Sequence, residues 1–506
     1  MNQALNLVVG LAIGVLTLVS YLRWWRVAQR EHYEPGRLLA MAAIWCRSRP
    51  HNLLMLLAIV ASGVVGWFVP VVGLAGAAAW LLWPLGLTLM SSAVKPVWTD
   101  RLKRLAVITV ALHVVVTGAF LVVGAGIGLL PLLVLPIAEV SLLAALPIEE
   151  LLGRKYLRSA AAQMKKVSPR VVAITGSYGK TSTKNYAAHL LSGRWATLAS
   201  PASFNNVMGL SRAVNDRLTP GTDVFVAEMG TYGPGEIAAL TRIFPPEVSA
   251  ITTIGEAHLE RMKDRATIVR AKSEILERPG VVVLNVDVPE LAAIADDLDA
   301  TKRVIRCSAE NAAGADVVVR RQDEGWLLEL SGREHHVDLP PEVGHPINVA
   351  IAVGLALALD VPEQAILDRI GSLPSTPHRA ETTRAPNGLT VIDDTYNANP
   401  QGAARALASA RELVGDGGTI WTITPGMVEL GSEQDARNAE LARAATATGS
   451  MQLCIVGWTN RRALESGDAG RTQVFPSREA ARQHVMAAAH AGDVVLYEND
   501  LPDHYP

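Results

Sequence analysis

Two glycines, a lysine and a threonine spaced closely together can hold a phosphate chain. In TGSYGKTSTK (175–184), Gly176, Ser177, Gly179, Lys180, Thr181 and Ser182 directly follow the apolar run VVAIT (171–175). A glycine turn between a strand and a helix N-terminus aims backbone N–H groups at an anion, and the helix dipole adds to the attraction. A lysine at that place reaches the terminal phosphates, and the threonine hydroxyl can ligate Mg2+. The spacing is GxxGKT, one step from the six-residue P-loop form, so a glycine-rich turn with an incidental lysine is the competing reading. The strand before it and the KTST run after it favour nucleotide binding.

A second residue stands out by its setting. Glu139, in LPIAEVSLL, is the only acid within three long apolar blocks. Carboxylates inside a membrane are expensive and tend to mark function. The alternatives are an interfacial position, or a pairing with His113.

Those blocks are residues 1–22, 53–94 and 105–148, and none contains Lys or Arg. A helix needs about 20 apolar residues to cross a bilayer. The first block holds one span near Leu5–Trp24. The second is about twice that length and breaks near Pro70–Gly73, and the third breaks near Gly124–Gly128. Five transmembrane helices are therefore expected. A cleaved signal peptide fits poorly, because the first block lacks a basic leader and more spans follow. Basic clusters follow the first span (Arg23, Arg26, Arg30, Arg37, Arg47, Arg49), the first hairpin (Lys95, Arg101, Lys103, Arg104) and the second (Arg154, Lys155, Arg158, Lys165, Lys166, Arg170). With five spans all three lie on one face, which the positive-inside rule makes cytoplasmic. Residues 36–48 fit an interfacial helix.

After Val167 the pattern becomes short apolar strands alternating with helices. VVAIT, DVFVAEM (223–229), VSAITTI (248–254) and VVVLNV (281–286) read as buried parallel strands, with helical periodicity in 180–192 and 266–277. A second run begins near Leu389 with LTVID, TIWTIT (419–424), LCIVG (453–457) and DVVLY (493–497), and SLPST (372–376) is the expected linker. The predicted architecture is a polytopic α-helical membrane domain (1–150), a basic juxtamembrane linker (151–168), an ATP-binding α/β central domain (169–375) and a Rossmann-like α/β C-terminal domain (376–506).

Composition agrees. Charged residues are 19% of 506, and mean hydropathy is +0.24, which excludes a disordered chain. A net charge of -2 gives no general reason to expect a nucleic-acid partner. The three cysteines (Cys46, Cys307, Cys454) are far apart without a CxxC, which argues against a disulfide framework or zinc site.

Further blocks follow in order: SFNNVMGL (203–210), VAEMGTYGPGEI (226–237), GEAHLERMKDRATIVRAKSEIL (255–276), NVD (285–287), HRAE (378–381), DDTYNANP (393–400) and PGMVELG (425–431). Together with TGSYGKTSTK they resemble the Mur ligases, the ATP-dependent enzymes that build the peptidoglycan stem peptide. The resemblance covers about 169–500 and is nearest the branch that adds D-alanyl-D-alanine. It implies that a carboxylate is joined to an amine through an acyl phosphate, with ATP and Mg2+ as cofactors.

The resemblance also implies roles. Lys180 would hold the β- and γ-phosphates, and Thr181 and Glu228 a first Mg2+. His258 would serve a second Mg2+ with Lys272, which the family carries as a carbamate; in isolation Lys272 would read as a solvated helix lysine. Asn285 would lie on the adenine side, Arg379 would reach the γ-phosphate, and Asp394 would hold the ribose with Tyr396 and Asn397 beside the nucleotide. DDTYNANP also reads as an ordinary strand-to-helix turn. Asn205 and Asn206 would contact substrate or nucleotide.

The departures are specific. GHPIN (344–348) sets His345 one step closer to Asn348 than the family's pattern. A Lys-Gly-Ser-Arg run expected near the end is replaced by GDVVLYENDLPDHYP, with Glu498, Asp500 and Asp503 in place of cations. The family's UDP-sugar-binding domain gives way to the apolar region. The function expected is a membrane-anchored ligase joining an amino acid or dipeptide to a carboxylate of a membrane lipid or lipid-linked envelope precursor, with the catalytic domains in the cytoplasm. A poly-γ-glutamate-type synthetase and a transport ATPase are the alternatives. The transporter reading leaves Lys272, Arg379 and DDTYNANP without a role.

Overall fold

A computed structural model describes residues 3–89, 97–123, 125–201, 204–256, 259–310, 313–322, 325–340, 343, 345–375, 381–395, 399–467 and 470–506. His258, Arg379, Tyr396 and Asn397 lie outside them. The chain divides into a helical unit, built from Met1–Leu152 with Val456–Arg462 and Leu501–Pro506, and an α/β unit of Gly153–Ile455 and Ala463–Asp500.

Among its described residues the helical unit carries the α-helices α1 (Gln3–Arg30), α2 (Arg37–Ser48), α3 (Pro50–Gly66), α4 (Pro70–Leu82), α5 (Asp100–Val123) and the first part of α6 (Leu130–Val167), which runs on past Leu152. Breaks fall at the two places where glycine and proline interrupt the apolar blocks. There Gly66, Gly73 and Gly128 bring backbones together: a Cβ on Gly66 would lie 2.7 Å from the Gly73 Cα, and one on Gly73 2.7 Å from the Gly128 Cα. Only a residue without a side chain permits that approach.

The five crossings expected from the sequence compare with fewer long apolar helices. Among the described residues three helices are long and apolar enough to span, Asn6–Arg30, Asp100–Val123 and Ile127–Val167. A fourth is possible only if α2 and α3, bent by 117°, count as one. At 1.5 Å per residue, α4 is about 20 Å long against a hydrocarbon core of about 30 Å. Residues 37–48 do form a helix, as expected. The basic segment expected as a linker is helical and forms the last turns of α6.

Glu139 also finds its place. Its carboxylate accepts the backbone N–H groups of Gly36 (2.6 Å) and Leu39 (3.1 Å), and so caps the N-terminus of α2. It does not pair with His113, whose ring meets the Gly14 carbonyl at 3.0 Å and Thr17 and Tyr21 at 3.4 Å. An aromatic-rich core of Tyr21, Trp24, Trp25, Trp45, Trp80 and Trp83 fills the unit. Its outer surface carries large apolar side chains such as Leu54, Phe68, Val107 and Val122. The segment Leu501–Pro506 belongs to this unit, through Trp45 Nε1 donating to the His504 carbonyl (2.9 Å) and His504 Nε2 meeting Glu31 (2.8 Å).

The α/β unit holds two sheets. Strands β1 (Arg170–Thr175), β2 (Thr197–Ala199), β3 (Val224–Glu228), β4 (Val248–Ile251), β5 (Val281–Asn285), β6 (Arg303–Ser308), β7 (Val317–Gln322), β8 (Gly325–Leu330) and β9 (Arg333–Val337) run in the order β2-β3-β1-β4-β5-β6-β7-β8-β9. They are parallel through β7 and antiparallel across β7-β8-β9. Alternate residues of β1 serve opposite faces. Val172 and Ile174 join the core with Leu190 and Val349, while Val171 and Ala173 join the core with Leu210 and Ile268. The helix Pro346–Ala358 is apolar nearly all round because it is buried in the first of these cores.

The second sheet comprises β10 (Glu381–Arg384), β11 (Thr390–Asp394), β12 (Ile420–Thr424), β13 (Met451–Val456), β14 (Thr472–Phe475) and β15 (Val494–Glu498), in the order β10-β11-β15-β12-β13-β14. The strands β11, β15, β12 and β13 are parallel. Their C-terminal ends carry Asp394, Glu498 and Thr424, the edge at which such sheets bind ligands.

Candidate active site

The phosphate-loop motif lies where its chemistry requires, between β1 and the helix Lys180–Leu191. Gly179 takes φ 79° at the helix N-cap, and a Cβ there would run into the Asn348 amide. Ser177 fastens the loop from below: its N–H donates to the Thr253 carbonyl (2.8 Å) and its Oγ to the Gly255 carbonyl (3.1 Å). Ser182 is buried in the first helical turn. Lys180 Nζ donates to the Gly176 carbonyl at 2.8 Å, so its ammonium lies over the loop.

Glu228 ends β3, the neighbour of β1, with Ile174 and Glu228 in register. Thr181 Oγ1 donates to Glu228 Oε2 at 2.9 Å, and Asn205 Nδ2 to Oε1 at 3.3 Å. Lys184 Nζ, one turn after Lys180, lies 3.4 Å from the same Oε2, with both side chains 2% exposed. An oxygen pair of hydroxyl and carboxylate suits a hard cation such as Mg2+.

Lys272, on the helix Arg265–Ser273, is 2% exposed. Burial, and then the charge of Lys180, push its pKa well below the ordinary lysine value. An amine favoured in its neutral form is the form that adds CO2, so the setting fits a carbamate. It does not fit a solvated lysine.

Two of the expected contacts bond to the backbone. Asn206 Oδ1 accepts the Gly209 N–H at 2.8 Å and caps the helix Val207–Arg217. Asn285 Nδ2 donates to the Thr252 carbonyl (2.9 Å), and its Oδ1 accepts from the Asp287 N–H (3.0 Å), which ties the ends of β4 and β5 together. His345, the displaced histidine of GHPIN, is the N-cap of Pro346–Ala358, its Nδ1 accepting from the Ile347 N–H. Burial, with the charge of Arg405, pushes its pKa down to about 4.

The acids in the altered C-terminal run are each engaged. Glu498 is fully buried and accepts from Thr424 Oγ1 at 2.8 Å; burial, with the charge of Asp394 adding to it, raises its pKa to about 8. Asp500 pairs with Arg478 at 2.7 Å. Asp503 lies 4.0 Å from Arg26 and 3.9 Å from Arg30. Asp394, at the end of β11, opposes Glu498 in register.

The sequence alone did not single out Lys184, Arg405 or Arg437. Arg437 forms a two-pronged ion pair with Glu256 at 2.9 and 2.5 Å, and the Glu260 N–H donates to the Glu429 carbonyl at 3.0 Å. The block that carries His258 is thereby tied to the PGMVELG loop.

Residues 174–355 match the Mur ligase middle domain, and residues 378–497 match the Mur ligase glutamate ligase domain. Neither match reaches residues 1–173. The UDP-N-acetylmuramoyl-tripeptide–D-alanyl-D-alanine ligase of Mycobacterium leprae is 32% identical over 383 residues, 68% of this chain and 73% of that one. The ligase of the same name from Bacillus subtilis is 26% identical, over 67% and 75% of the two chains. Among solved structures, MurF ligase from Thermotoga maritima in complex with ADP aligns with TM-score 0.61 at 24% identity, over 69% of this chain and 80% of that one. Escherichia coli FolC in complex with DHPP and ADP aligns with TM-score 0.53 at 22% identity, over 68% and 89%.

Proposed function

The chain belongs to the Mur ligase family and is an ATP-dependent peptide ligase; from that premise we propose that it works at a membrane, extending the peptide of an envelope precursor in peptidoglycan synthesis. The observation that carries the ligase reading is the meeting of Thr181 and Glu228 beside Lys180 at the phosphate loop, with the buried Lys272 within reach of the Lys180 charge. A carboxylate oxygen of the acyl donor attacks the γ-phosphorus of ATP and ADP leaves. The amine then attacks the acyl carbon, phosphate departs, and the amide remains.

Lys180 neutralises the transferring phosphoryl oxygens, while the loop N–H groups fix the phosphate chain. Thr181 and Glu228 would hold Mg2+, which when bound supplies further charge stabilisation at those oxygens. Lys272, as the carbamate, presents an anion in place of a cation beside the site. Asp394 stands for the ribose. The roles proposed for His258, Arg379, Tyr396 and Asn397 rest on the motifs HLERM, HRAE and DDTYNANP.

The amine is an amino acid or dipeptide. D-Alanyl-D-alanine, which the Mycobacterium leprae relative's name specifies for that enzyme, is the first to test. The acyl donor is held in the membrane. The many exposed large apolar side chains of the helical unit, such as Leu54, Phe68, Val107 and Val122, support this. The basic residues at the end of α6 would lie among anionic headgroups on the cytoplasmic side, each contributing about 1 kcal/mol. Phosphate release by the purified chain, screened over amino acids and dipeptides with membrane extract as donor, tests the ligase. Release should depend on one amine, whereas hydrolysis indifferent to every amine would contradict the proposal.

A further inference from the structure

Glu228 is held by more groups than metal ligation requires. Its Oε1 receives Asn205 Nδ2 at 3.3 Å, and its Oε2 receives Thr181 Oγ1 at 2.9 Å. Lys184 Nζ lies 3.4 Å from that same Oε2, with both side chains 2% exposed. Lys180 and Lys184 are four residues apart on the helix Lys180–Leu191, so both face the β1–β3 side of the loop. Lys180 turns to the loop carbonyls and Lys184 to the carboxylate.

A buried carboxylate is costly without a paired charge, and a long flexible ammonium chain is costly to bury without a purpose. The pair is worth keeping if it fixes where the carboxylate stands. With one oxygen held by an amide and the other shared by a hydroxyl and an ammonium, the Glu228 plane has one orientation, turned toward Thr181.

We infer that Lys184 is a positioning residue for the divalent cation of the nucleotide site: it holds Glu228 in the orientation in which Glu228 and the Thr181 hydroxyl together accept Mg2+. This rests on the reading of Thr181 and Glu228 as Mg2+ ligands. Lys184 itself touches neither metal nor nucleotide. It acts through the carboxylate, so its loss weakens the metal-dependent part of nucleotide binding and spares the metal-independent part, which belongs to the loop and Lys180.

The test uses the full chain in detergent and a fluorescent ATP analogue, with binding measured in EDTA and again across a Mg2+ titration. In wild type, Mg2+ should tighten binding. In Lys184→Met the affinity in EDTA should stay within about twofold of wild type, while the tightening by Mg2+ falls about tenfold. Lys184→Arg, which keeps the charge, should recover most of it. If Lys184→Met is too unstable to purify, Lys184→Gln is judged by the same criteria. Unchanged tightening would make Lys184 a structural counter-charge only, and stronger tightening would make it a competitor of the metal; either overturns the inference. Absence of any Mg2+ effect in wild type would instead overturn the metal assignment of Thr181 and Glu228, and the inference with it.

Discussion

Thr181 and Glu228 are 47 positions apart in the chain and meet through a 2.9 Å hydrogen bond. The contact follows from the sheet order: β1 and β3 are neighbours and parallel, so the turn after one strand faces the last residue of the other. The phosphate loop and its acidic partner are thus set by backbone register before any ligand arrives.

Lys180→Ala should lower ATP turnover at least about a hundredfold, because loop N–H groups alone cannot neutralise the transferring phosphoryl group. Steady-state ADP release measures this. Turnover within a few-fold of wild type would remove Lys180 from the mechanism.

Lys272→Ala should bind ATP as wild type does and lose ligation. The natural side chain is buried and disfavours its own ammonium, and the proposed working group is the carbamate. Acetate or formate supplied in the cavity of the alanine variant should restore part of the activity. Full activity without rescue would show that Lys272 has no part in the reaction.

The phosphate loop and the parallel strands were legible because both are written locally: a glycine turn after a buried strand, and apolar runs of strand length. The backbone hydrogen bonds of Asn206 and Asn285 were not, since an amide side chain can bond to many partners and only the folded neighbours show which. Glu139 stood out as an anomaly, but its partner is the N-terminus of α2, about a hundred residues away in the chain. Hydropathy gave the breaks in the apolar blocks, but composition does not reveal that the helix α4 stops at Leu82, after 13 residues. The β7-β8-β9 extension was missed because its outer strands carry charged side chains such as Arg320, Arg321, Arg333 and Glu334, which dilute the apolar signal.

Glu498 makes stability fall as pH rises. Its carboxyl is shifted from an ordinary 4.5 to about 8 in the folded chain. Below about 4.5 folded and unfolded chains both hold the proton; between 4.5 and 8 only the folded chain keeps it, so stability falls with pH and levels off above 8. Glu498→Gln should gain on wild type across that window, by a few kcal/mol at most near pH 8. Thermal melting of the two proteins from pH 4 to 9 checks the sign; a gain confined to acid pH would be the wrong one.

Glu139→Ala should destabilise the helical unit by about 1–2 kcal/mol, the worth of a buried helix cap. Glu139→Gln, which keeps one acceptor oxygen, should lose less. Melting in detergent reads both. A fully stable alanine variant would free Glu139 from the capping role.

The claim of a membrane-held acyl donor is tested most directly by comparing two donors on the same detergent-solubilised chain: a soluble UDP-muramoyl tripeptide and its polyprenyl-linked counterpart, each with D-alanyl-D-alanine and ATP. Phosphate release should be amine-dependent and have a kcat/KM at least about tenfold higher for the lipid-linked donor, a preference of about 1.4 kcal/mol in the transition state. Equal or better turnover of the soluble donor would contradict the account and leave the helical unit without a part in substrate choice.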